Sequence, residues 1–186
     1  MVCPIMSVLA QGHEYRPEID MQNFLAELLE WYCGEVGGEA FFSALAHGAG
    51  EPGRAAKWRK LAQLEQYVAG RLRTELEARG VQMPTAAADL QRGLNSAQEY
   101  ASLTWREALS RLRPVLVRYV RDFQAAESRM PEEVLPLARF VTDHERALLE
   151  FVTRELDHDG QHSLDSVLGL LDEATPGPAE RPPPPH

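Results

Sequence analysis

Glu65 and Glu145 are the residues of this chain whose types and spacing point most directly to chemistry. At helical spacing one segment reads Trp58, Leu61, Glu65, Val68, Leu72 and Leu76. A later one reads Leu137 or Ala138, Val141, Glu145, Leu148, Val152 and Leu156. Each stripe is apolar except for one glutamate. A lone buried carboxylate is costly unless it is paired, protonated or bound to a cation, so two at matching positions imply a shared polar site inside a bundle. Other constellations carry less. Glu155-Leu156-Asp157-His158 matches Glu-x-x-His, and His158 and His162 stand four apart, but Asp159-Gly160 interrupts any helix there and favours a C-terminal cap. No Gly-x-Ser-x-Gly turn and no Gly-rich phosphate loop occurs. Trp31, Trp58 and Trp105 read as packing between helices.

The elements that must position these glutamates are helical, since no convincing period-two strand is present. A first helix is expected from near Asp20 to His47, ended by Gly48-Ala49-Gly50. Pro52 opens a second helix that stops at Arg79-Gly80. Residues 81–94, with Pro84 and Gly93, read as a long crossover with a short turn around Ala86 to Gln91. A third helix is expected from Asn95 or Ser96 through Trp105, Leu109, Leu112, Leu116, Tyr119 and Phe123, kinked at Pro114. Pro131 is expected to begin the fourth, which closes around Asp157 to Gly160, and a shorter helix covers Ser163 to about Glu173. The predicted fold is all-α: a four-helix bundle with a long crossover between helices 2 and 3, plus a short C-terminal fifth helix. Residues 1–19 read as an N-terminal extension, 20–173 as the bundle, and 174–186, with Pro182 to Pro185 consecutive, as a disordered tail.

Length and charge narrow the function classes. At 186 residues one domain suffices. A net charge of -9 and a pI near 5.2, with arginines interspersed among acids, argue against a nucleic-acid partner. No apolar stretch reaches the ~20 residues of a membrane helix, and the start does not read as a secretory signal, so the expected location is cytoplasmic. Cys3 and Cys33 lack metal-binding spacing and do not form a disulfide framework.

Gly38-Glu39-Ala40-Phe41-Phe42 on the first helix resembles the Gly-Glu segment of rubrerythrin-type proteins. Glu65 and Glu145 resemble the glutamates of that family's Glu-x-x-His motifs. The helix order and internal repeat likewise resemble the ferritin-like superfamily of di-iron carboxylate bundles, over roughly residues 20 to 160. The resemblance implies Glu39, Glu65 and Glu145 as metal ligands, with Glu35, one turn from Glu39, as a possible extra. It also implies four carboxylates and two imidazoles for two irons. Here the two histidine positions read Val68 and Leu148, and the third helix offers Leu116, Tyr119 and Phe123 where a carboxylate is required, with Glu99 and Glu107 nearer its start.

That pattern implies an eroded site. The favoured reading is a non-catalytic ferritin-like bundle without cofactor, acting as a binding or interaction protein and forming a homodimer. Its glutamates would be paired with Arg118 or Arg121 and hydrogen-bonded by tyrosines such as Tyr119. The alternative is a carboxylate-liganded iron- or manganese-binding protein or oxidoreductase. A third reading leaves Glu39, Glu65 and Glu145 facing solvent. His144, about 100° around the helix from Glu145, reads as a surface or interhelix hydrogen-bonding residue.

Overall fold

A computed structural model describes residues 21–174, so the expected N-terminal extension and proline tail lie outside the described residues. The order is α1 (Met21–Gly48), α2 (Pro52–Ala78), α3 (Ala87–Gln98), α4 (Trp105–Glu127), α5 (Leu135–Leu156) and α6 (Asp165–Ala174), with no strand among the described residues. None of these helices is long and apolar enough to cross a membrane. α1 packs on α2 and α4 on α5; α3 lies on α1, and α6 closes against α2 and α5.

Local chemistry sets the boundaries. Pro52 occupies the first turn of α2, where its missing N–H costs nothing. The helix ends where Gly80 adopts a positive φ of 77° and the Val81 N–H returns to the Leu76 carbonyl. The expected third helix is two elements. α3 ends at Gln98, and α4 begins only at Trp105, because Thr104 and Glu107 form a reciprocal capping box that starts a new helix. α5 starts at Leu135 rather than at Pro131. A helix begun at Pro131 would carry Pro136 in its interior, whereas a start at Leu135 puts that ring in the first turn. Pro114 does lie inside α4, which leaves the Ser110 carbonyl without the N–H it would otherwise accept.

The core is one cluster in which Leu28, Leu61, Leu64, Val68, Leu72, Leu109, Val141 and Phe151 are sealed from solvent. Trp58 is its aromatic centre, stacked on Phe42 at 5.6 Å and meeting Trp105 at 4.9 Å and Phe151 at 5.9 Å between ring centroids. One end of the core is sealed by a polar knot. Lys57 donates to Glu155 and to the Gly160 carbonyl at 2.7 Å, while Ser163 and the Trp105 indole donate to the same carboxylate at 2.5 and 3.0 Å. The helix ends at Leu156, before the exposed His158, which takes a left-handed φ of 66°. The Glu-x-x-His match is therefore a helix end: Glu155 faces the core and His158 faces solvent.

Candidate functional site

Three helices deliver acids to one level of the core. α1 supplies Glu35, α2 Glu65 and α5 Glu145, only 3%, 5% and 6% exposed. The repeated stripes predict the inward direction of Glu65 and Glu145, and their burial excludes the solvent-facing reading for these two. Glu35, offered above only as an extra ligand, is the most buried of the three. Glu39 sits one turn away at half-burial, lining a small groove between α1 and α2 with Ser43, His47, Arg59 and Gln63. Its charge still acts on Glu65.

His144 completes the cluster: of the surface and interhelix places open to it from sequence, it takes the buried one between helices. It is fully buried, with Nε2 3.1 Å from Glu35 Oε2 and 3.9 Å from both Glu65 Oε2 and Glu145 Oε1. Nδ1 lies 2.6 Å from the Val141 carbonyl. A carbonyl only accepts, so Nδ1 carries the hydrogen and Nε2 is turned towards the carboxylates. A sequence signal for this existed. Leu137, Val141, His144, Leu148 and Phe151 repeat at alternating steps of four and three, a second core stripe along α5.

The electrostatics are those of acids without enough counter-charge. Burial pushes the Glu35 carboxyl up to about 8, against a hydrogen bond from Glu65 that lowers it, and the nearby Glu145 raises it further. Glu65 is raised well above the carboxylate range by burial, by the charge of Glu35 and by donating the shared proton to it. Burial likewise pushes Glu145 up to about 8, opposed by His144 and reinforced by Glu65. Burial raises Glu39 as well. Glu35 Oε2, His144 Nε2 and Glu145 Oε2 are all buried without a hydrogen-bond partner. Such orphans are rare in folded proteins.

Space for the Glu65 carboxylate comes from Gly38. A Cβ built there would lie 2.6 Å from Glu65 Oε2, so only glycine admits the acid against the α1 backbone. The guanidiniums offered as metal replacements lie elsewhere. Arg118 is exposed and covers the ring of Tyr119, itself exposed, and Arg121 pairs with its neighbour Asp122. Neither reaches the buried acids as a counter-ion.

One ligand atom each from Glu35, Glu65 and His144 falls within 4.8 Å of the others, with Glu145 beside them. Three carboxylates and one imidazole form a hard, mixed oxygen and nitrogen donor set. Of these, Glu35, Glu65 and His144 come close enough together for one cation to reach all three. Val68 and Leu148, one turn beyond Glu65 and Glu145, are apolar, and α4 presents Leu112 and Leu116 at its buried face. Comparison with known family models, curated proteins and solved structures returned no match to this chain.

Proposed function

We propose that the protein binds one divalent transition-metal ion, iron or manganese, through Glu35, Glu65, Glu145 and His144, and that it is a metalloprotein of oxidoreductase type on a ferritin-like bundle. The observation that carries the reading is the approach of one ligand atom each from the buried Glu35, Glu65 and His144 to within 4.8 Å of one another, with Glu35 Oε2 and His144 Nε2 left without a hydrogen-bond partner. A cation there satisfies both orphans at once and offsets the acid excess that burial otherwise makes costly. When bound, such an ion supplies Lewis acidity and one-electron redox chemistry. The chain's own residues do the rest. The Val141 carbonyl fixes the imidazole tautomer, as metal-ligating histidines require. Gly38 seats Glu65, and Leu148 and Phe42 exclude water around the acids. The two helix pairs joined through a crossover support the ferritin-like assignment.

Elemental analysis after anaerobic loading with ferrous iron or manganese tests this. About one metal per chain is expected, falling to background in folded Glu65→Ala and His144→Ala variants. Equal metal in all three proteins overturns the proposal.

A non-catalytic bundle is the second reading. It is favoured by the proton that Glu65 shares with Glu35, which relieves part of the charge without a cation. It predicts background metal throughout and a Glu65→Ala variant altered only in stability.

A further inference from the structure

A cleft of about 680 Å³ opens between α1, α3 and α4 directly over the acid cluster, a size typical of small-molecule sites. Its origin is sequence-encoded. α1 and α4 do not pack backbone to backbone, and the gap between them is spanned by an edge contact of Trp31 with Phe123 at 4.9 Å. Along the same stretch α1 carries Gly34, Gly37 and Gly38, which put no side chains into the space. α3 forms the far wall by seating Gly93 on the Gly37 carbonyl, where a Cβ would come within 2.2 Å of the oxygen.

The lining changes character with depth. Glu35, Glu65 and Glu145 form the floor, two of them with orphaned oxygens. Trp31, Phe41, Phe42, Leu112, Leu116 and Phe123 form apolar walls. At the mouth the cations are already committed. Arg111 is paired with Glu99 and lies over the Tyr100 ring at 4.9 Å, and Arg92 is paired with Asp89 at 2.7 Å and donates to the Cys33 carbonyl at 3.2 Å. An anionic ligand therefore finds no free counter-charge and meets an acidic floor. With the ion in place the floor acids are committed to it, and a cationic ligand must shed its hydration against aromatic and leucine walls.

We infer that this cleft binds an uncharged, largely apolar small molecule and presents one end of it to the ion held by Glu35, Glu65, Glu145 and His144. The inference rests on the metal reading above for the exclusion of a cation and for its second half. Gly34 provides the means to test it. A Cβ there meets nothing within 4 Å and the residue lines the cleft, so a leucine enters free space while improving helix propensity. Gly70, exposed on α2 and equally unobstructed, is the matched control.

The experiment titrates the manganese-loaded full chain with N-phenyl-1-naphthylamine, an uncharged probe that brightens in apolar surroundings, and with an anionic naphthalene sulfonate. Expected is saturable binding of the neutral probe, weakened about tenfold or more by Gly34→Leu and unchanged by Gly70→Leu, with the anionic probe weaker by a similar factor. Accelerated proton relaxation of the bound neutral probe in the manganese protein, absent in Gly34→Leu at the same manganese content, places it beside the ion. No binding, binding indifferent to Gly34→Leu, preference for the anion, or binding without relaxation enhancement overturns the inference. A chain that takes up no manganese yet binds the probe with the expected Gly34→Leu sensitivity removes the metal reading and the presentation step, and leaves an apolar pocket alone.

Discussion

His144 Nε2 decides how the centre of this protein behaves, because it stands among three buried carboxylates whose like charges conflict. Protons relieve that conflict in the metal-free chain, and the consequence is a pH dependence of defined sign. Glu35 and Glu145 titrate at about 8 when folded, against roughly 4.3 in an unfolded chain. The folded state then holds more protons, so its stability from these groups is fully present below the unfolded value and is lost as pH rises towards 8. Urea midpoints of metal-free protein are expected to fall between pH 5 and 8. Saturating manganese, which displaces those protons, is expected to reverse the slope; parallel slopes with and without manganese contradict the proposed site. Gly38→Ala tests the seat of Glu65. The added methyl meets the carboxylate at 2.6 Å, so a destabilisation of about 1–3 kcal/mol is expected in chemical denaturation, with loss of bound metal. The inward glutamates of α2 and α5 are legible in sequence because each interrupts an otherwise apolar stripe. His144 is legible only from the second stripe of α5, which is buried as well because that helix is wrapped by α2, α4 and α6, an arc that reasoning from a single face does not anticipate.

Helix boundaries depend on short-range bonds that apolar periodicity does not register. The Thr104 and Glu107 pair restarts the chain after α3, and its two hydrogen bonds hold the Glu107 carboxyl below the usual range. Thr104→Ala removes the hydroxyl half of the box, leaving the backbone N–H bond to Glu107, and is expected to cost about 1 kcal/mol, read as a lowered thermal midpoint with metal binding intact. Retention of the midpoint would show that α4 is held by packing alone. The helical class and the α1–α2 pair are readable from stripes and from Gly80, whereas the expected crossover over residues 81–94, with only a short turn, holds most of a helix, α3. The split at residues 99–104 is hidden because Trp105, Leu109, Leu112 and Leu116 fit one continuous stripe with residues before them. The register of α5 was legible in principle from Pro136, whose ring allows only a first-turn position.

For the molecule as a whole, the knot around Glu155 ties the ends of α2, α4 and α5 to the turn before α6. Glu155→Ala leaves Lys57, Ser163 and the Trp105 indole short of an acceptor, a loss of about 2–4 kcal/mol. Its mark is faster amide exchange in residues 157–174 than in α1, whereas uniform acceleration would mean the knot holds the whole bundle rather than α6. A second whole-molecule property follows from Glu39. It stands in a groove between α1 and α2, its charge felt by Glu65, while the larger cleft opens across α1 towards α3 and α4. Glu39 thus acts on the acids by charge from outside their set, a rheostat rather than a ligand. Glu39→Gln is expected to leave the manganese stoichiometry unchanged while weakening its retention against a chelator.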